Sequence, residues 1–273
     1  MKSDVLRVPG ASLYYETRGA GPLLVFLPGG GGDAGTVDPL AEVLDEHFTV
    51  VSLDPRGYSR STLDGPQVTQ RVEVQSEDVF RLICHLTDEP VYVVGGSAGA
   101  IVGLDLLARY SERVRRLVAH EPPCFGVLSD AVEQLAMIDE VCAVFHAEGP
   151  AAAGARFLAG IGNAMKPSPA LTDLSPRAAE MWARLAVNGP LMMEYELREF
   201  TSYIPDFEAL GQVADRLVMA AGRETRGALP YRPAVEIAGR LGLEITEFPG
   251  AHNGMRTDAT EFARQLVTAL SGG

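Results

Sequence analysis

Val91-Tyr92-Val93-Val94-Gly95-Gly96-Ser97-Ala98-Gly99-Ala100 is the stretch whose reading decides the fold. Its first four residues are apolar and mostly β-branched, and they read as a short buried strand. In Ile101-Val102-Gly103-Leu104-Asp105-Leu106-Leu107-Ala108-Arg109-Tyr110 the apolar residues then recur at helical spacing. A serine inside Gly-x-Ser-x-Gly, between a strand and a helix, is the setting of an exposed nucleophile. Gly95 and Gly99 leave room for so sharp a turn. The Ser97 hydroxyl is then expected to project above the N-terminus of the helix, where free N–H groups and a partial positive charge favour an anion.

Upstream, Leu23-Leu24-Val25-Phe26-Leu27 is an unbroken apolar run, as expected of a strand buried on both faces. It ends in Pro28-Gly29-Gly30-Gly31-Gly32-Asp33. Four successive glycines cost backbone entropy, and a simple turn does not need them. They let bare N–H groups approach a ligand. Gly30 N–H is the expected oxyanion donor, Ala98 N–H its partner, and Gly31 is placed at the substrate pocket. The loop lacks the Lys-Ser/Thr ending and the Gly-x-Gly-x-x-Gly spacing of phosphate loops. Phe48 to Leu53 forms the next strand. It runs into Asp54-Pro55-Arg56-Gly57-Tyr58-Ser59-Arg60-Ser61 at the strand end, where open α/β sheets place their sites. Asp54 and Arg56 read as structural, Tyr58 as a pocket residue. Val5 to Val8 and Ala11 to Thr17 read as an edge hairpin.

Downstream, Val114 to Ala119 is a strand that stops at His120-Glu121-Pro122-Pro123. From Cys124 to about Phe207 the alternation of strands and helices ceases. Helices are expected over Leu128 to His146, Pro150 to Met165 and Pro176 to Tyr203, the last broken at Asn188-Gly189-Pro190. This gives a core domain of 1–121 and 209–273 and a helical cap of 122–208. Trp182, Met192 and Met193 are placed in its pocket wall. A cap rich in methionine and aromatic residues favours an apolar substrate. Strands resume over Arg216 to Ala221 and Leu243 to Phe248, and Asp258 to Leu270 closes the chain as a helix.

A serine hydroxyl needs a base. Of the five histidines, His252 lies in the Gly-flanked loop after the last strand and is the expected general base. An acid must orient it and stabilise its cation. Glu121 and Glu224 each follow a strand, and both stand open on this reading.

Leu27-Pro28-Gly29-Gly30, Asp54 to Ser61, Gly95 to Gly99, and Pro249-Gly250-Ala251-His252 together resemble the marks of α/β-hydrolase-fold serine hydrolases, in order and over essentially the whole chain. The resemblance implies a mostly parallel eight-stranded sheet flanked by helices, with an inserted helical cap. Within that family, His120-Glu121-Pro122-Pro123 is similar to the His-Glu-Leu-Pro of zearalenone-type lactonases, whose glutamate is the triad acid. The spacing from Ser97 to Glu121 and the Ser-Arg-Ser ending at Ser61 agree with that subgroup. On this ground Glu121 is favoured over Glu224, and Thr225 stands where many hydrolases carry aspartate. The four-glycine loop departs from the lactonase pattern. What the resemblance implies is an esterase or lactonase that works through an acyl-enzyme on an apolar small molecule, with no metal or organic cofactor. A serine at position 97 sets the chain apart from epoxide hydrolases and haloalkane dehalogenases, which carry aspartate there. A biosynthetic thioesterase or cyclase, or a cofactor-free perhydrolase, would use the same residues. A non-catalytic ligand receptor is the reading from another class, and the intact serine, histidine and acid set stands against it.

Composition narrows the rest. The 273 residues suffice for one large α/β domain with an insertion. A net charge of −13 argues against nucleic acid or an anionic membrane as partner. No apolar run is long enough to span a bilayer, and Met1 to Arg7 carries no apolar signal region, so a cytoplasmic location is expected. Cys84, Cys124 and Cys142 have neither metal-binding nor disulfide spacing. A homodimer through the cap or an edge strand is compatible with the chain.

Overall fold

The computed structural model describes residues 1–166 and 174–271; residues 167–173 of the expected cap and 272–273 of the expected core lie outside the described residues. A single sheet organises the chain. Its strands are β1 (Lys2–Val8), β2 (Ala11–Gly19), β3 (Leu23–Leu27), β4 (Thr49–Leu53), β5 (Thr62–Leu63), β6 (Val91–Gly96), β7 (Val114–His120), β8 (Leu217–Gly222) and β9 (Thr246–Phe248). The order is β1-β2-β4-β3-β6-β7-β8-β9, with β5 paired to β2. β1 and β2 form the edge hairpin, β2 meets β4 antiparallel, and every pair from β4 to β9 is parallel.

The helices are α1 (Asp38–Leu44), α2 (Val72–Leu86), α3 (Ala98–Arg109), α4 (Ala131–Glu148), α5 (Pro150–Gly160), α6 (Pro176–Tyr195), α7 (Leu197–Ser202), α8 (Phe207–Gly211), α9 (Tyr231–Leu241), α10 (Gly254–Thr257) and α11 (Ala259–Ser271). The unbroken apolar runs are explained by helices on both faces of the sheet. Leu24 and Phe26 of β3 join Leu40 of α1 and Phe262 and Leu266 of α11 in one core. Val25 and Leu27 point the other way, into a core with Leu82 of α2, Ile101 and Leu104 of α3 and Ile237 of α9. Each such buried side chain contributes roughly 1.5–3 kcal/mol of hydrophobic stabilisation. Helices α4 to α8 lie between β7 and β8. Among the described residues, no helix is long and apolar enough to cross a membrane.

Three expectations change. The eight strands are present, but the sheet has nine, because two-residue β5 is too short to leave a pattern in sequence. β9 begins at Thr246 rather than Leu243. α6 runs on through Asn188-Gly189-Pro190 without the expected break. Proline removes a helical hydrogen bond at a cost of about 3 kcal/mol. Here Asn188 is buried and bonded to the core on the turn before it, and that anchorage offsets the loss.

Candidate active site

Ser97 occupies the turn between β6 and α3 with φ +54°, a conformation that strains a non-glycine residue. The surroundings hold it there. Ser97 N–H donates to His120 O at 2.9 Å, tying the turn to the end of β7. The two flanking glycines are sterically required. A methyl group at Gly95 would sit 2.3 Å from Gly99 O, and one at Gly99 would sit 2.3 Å from Leu27 O. Strand β6 and the end of β3 can therefore pass beneath α3 only with hydrogen at Gly95 and Gly99, respectively.

Pairing of Leu27 with Gly95 brings the glycine loop beside this turn. A methyl group at Gly29 would lie 3.5 Å from Ser97 Cβ. Gly29 O accepts from Gly32 N–H at 2.8 Å. N–H and C=O point oppositely across a trans peptide, so Gly30 N–H faces away from that internal bond. Among the described residues, nothing accepts from Gly30 N–H or Ala98 N–H. Both remain free for a ligand's oxygen.

The inserted helix α6 fastens the loop from outside. Asn188 Nδ2 donates to Gly31 O at 3.0 Å and to Ser59 Oγ at 2.8 Å, and Ser59 N–H donates back to Asn188 Oδ1 at 3.0 Å. Gly31 sits at φ +68°, which glycine tolerates without strain. Arg184 Nε donates to Asp33 Oδ2 at 2.6 Å. Asp54 holds Arg60 at 2.8 Å and Ala34 N–H at 2.9 Å, and Arg56 pairs with Asp78. Both Asp54 and Arg56 thus serve loop architecture.

Glu121 follows β7 at φ +47°, its N–H donating to Ala220 O of β8 at 2.9 Å. Its Oε2 lies 2.7 Å from His252 Nδ1. Its Oε1 accepts from Gly222 N–H at 2.8 Å and from the Thr225 hydroxyl. Burial opposes ionisation of this carboxyl, but the hydrogen bonds and the charge of His252 outweigh it, and its pKa is lowered to about 2. An ionised acceptor on Nδ1 puts the imidazole proton there and leaves Nε2 as the basic nitrogen. Glu224, the other acid, is half exposed and pairs with Lys166 at 2.8 Å. His120 is wholly buried edge-on to Phe248 and Phe262, with no partner for either ring nitrogen among the described residues. Burial lowers its pKa to about 4, with the Glu121 charge working against the shift.

The expected pocket residues separate. Met192 lies against Gly30 and Gly31. Tyr58 is fully buried and donates to Glu196 Oε2 at 2.8 Å. Trp182 instead stacks with Arg256, just beyond His252, and Met193 reaches Gly154 of α5. Asn188, Glu196 and the Thr225 contact were not foreseen. The Thr225 position was noticed only as a missing aspartate.

The sequence profile of the alpha/beta hydrolase fold matches residues 22–143. Over 99% of its length the chain is 34% identical to 96% of the uncharacterized hydrolase YraK of Bacillus subtilis (strain 168). A stretch of 126 residues, 45% of the chain, is 33% identical to 48% of the zearalenone hydrolase of Cladophialophora bantiana. The fold is similar to that of a hydrolase from Pseudomonas aeruginosa PA01, with TM-score 0.74 at 23% identity, covering 99% of this chain and 98% of that one.

Proposed function

This chain belongs to the alpha/beta hydrolase fold family, and from that premise we propose that it is a serine hydrolase cleaving a carboxylic ester or lactone of an apolar small molecule through an acyl-enzyme. The observation that carries the reading is the Glu121–His252 hydrogen bond at the same sheet edge as the strained Ser97 turn. His252 Nε2 takes the Ser97 proton as Oγ attacks the carbonyl carbon. Glu121 holds the imidazole in one tautomer and stabilises the imidazolium. Gly30 N–H and Ala98 N–H donate to the tetrahedral oxyanion. As the intermediate collapses, the bond to the leaving oxygen breaks and His252 returns its proton to that alkoxide. Water, deprotonated by the same nitrogen, then attacks the acyl-enzyme and releases the acid and free Ser97.

The inserted helices supply the acyl pocket, with Met192 against Gly30, and Tyr58 of the 54–61 loop is buried beneath them on Glu196. This proposal includes the division into a core of 1–121 and 209–273 and a cap of 122–208. The partial likeness to a zearalenone hydrolase supports lactones among the substrates. The test is hydrolysis of a panel of p-nitrophenyl esters and aromatic lactones by wild type and Ser97→Ala. Turnover that disappears in the variant supports the scheme, and a variant as active as wild type overturns it.

A further inference from the structure

Glu196 stands where α6 gives way to α7 and carries a carboxyl down to the glycine loop. A methyl group built on Gly30 would sit 3.1 Å from Glu196 Oε1 and 3.2 Å from Met192 Cγ. The acid thus faces the residue whose N–H is the proposed oxyanion donor. Its other oxygen accepts from Tyr58, and the Gln75 side chain of α2 also bonds it.

What it lacks is a cation. The other buried carboxylates around these loops have arginine partners: Glu16 has Arg60 and Arg177, Asp33 has Arg184, Asp54 has Arg60, and Asp78 has Arg56. Among the described residues, no lysine or arginine pairs with Glu196. Its surroundings are Tyr58 from the 54–61 loop, Gln75 from α2, Met192 from α6 and Gly30. Tyr58 is the titratable one, and burial and the nearby acid push its phenol above the ordinary range, so it stays a neutral donor. A buried carboxylate served by two neutral donors and no cation gains by taking up a proton.

We propose that Glu196 works as a neutral carboxylic acid beside the oxyanion loop, and that losing its proton to solvent sets a negative charge against the one forming on the substrate carbonyl. This rests on Ser97 and Gly30 having the roles proposed above. Glu196 is a positioning residue here, since it acts through the field at Gly30. Burial raises its pKa to about 7, against the pull of Tyr58 and Gln75. Being an acid with a raised pKa, it is neutral below that value and charged above it. The active form is the acidic one.

The test compares pH profiles of kcat/KM on one uncharged p-nitrophenyl ester for wild type, Glu196→Gln and Ser97→Ala. Glutamine keeps the shape and an acceptor for Tyr58 but cannot ionise. Both proteins share the rising limb of the His252 base, so the readout is the ratio of wild-type to Glu196→Gln kcat/KM, which is expected to fall roughly tenfold from pH 6 to pH 9. A ratio that does not change with pH overturns the proposal. Infrared spectroscopy gives a second readout that needs no turnover. Wild type is expected to show a protonated-carboxyl band that titrates near neutral pH and is missing from Glu196→Gln, and absence of the band from wild type overturns the proposal. Undiminished turnover by Ser97→Ala overturns the proposed function instead, and the infrared readout then still tests the protonation of Glu196.

Discussion

Glu121 Oε2 and His252 Nδ1 lie 2.7 Å apart although 131 residues separate them in the chain. The contact joins a residue at the end of β7 to the loop after β9. Two further donors, Gly222 N–H and Thr225 Oγ1, hold the carboxylate from its other side.

Glu121→Gln keeps the volume but favours the wrong imidazole tautomer. It is expected to lower turnover roughly a thousandfold or more with KM little changed. Glu224→Ala is expected to stay within about twofold of wild type, since exposed ion pairs contribute little. Steady-state kinetics on the ester panel, with melting curves to verify folding, separates the two.

His120 couples the site to acid stability. Its pKa is lowered from 6.5 to about 4 in the fold. As pH drops, the unfolded chain takes the proton first, so this group's contribution is full above pH 6.5 and is lost as pH falls through about 4. The loss is on the order of 3 kcal/mol at most. Urea unfolding of His120→Leu at pH 7, 5.5 and 4 is expected to show a shallower decline than wild type.

Asn188→Ala leaves Gly31 O and both polar groups of Ser59 without their partner on α6. A loss of about 1–3 kcal/mol in stability is expected from these buried groups. If the loop is held by this contact, kcat falls about tenfold or more as an oxyanion donor shifts. Denaturant melts and kcat on the ester panel measure the two effects.

Gly95→Ala would place a methyl group 2.3 Å from Gly99 O and 2.5 Å from Gly99 C. Both obstacles are backbone and cannot rotate away. The expected cost lies at or above the upper end of the roughly 1–3 kcal/mol typical of overpacking. A sharply lower melting temperature, or no soluble protein, is the outcome to look for.

Local pattern carried much of this structure. The strand, turn and helix around Ser97 were legible because the steric demand at Gly95 comes from Gly99 and Ala100, within five residues, and the apolar pattern on either side is local. The buried runs of β3 and β6 were legible because a sheet covered on both faces leaves few polar positions. Glu196, Asn188 and the Thr225 hydroxyl were not legible as partners. Each meets groups more than a hundred residues away, and no periodicity records such a meeting. The continuity of α6 was misjudged for the same reason. Gly189 and Pro190 signal a break locally, while the anchorage that overrides it comes from Gly31 and Ser59.

The position of Glu121 also bears on how relatives could exchange their substrate pockets. On the proposed division the inserted segment leaves the core after this acid, and the residues that seat the acid, Gly222 at the end of β8 and Thr225 beyond it, follow the segment's return. An upstream graft junction therefore has to fall after Glu121, and the downstream junction before β8. The graft has also to bring its own counterparts of Asn188 and Arg184, because Gly31 and Asp33 stay behind in the recipient. Inserted helices and oxyanion loop, though far apart in the chain, are then constrained to change in evolution as a matched pair.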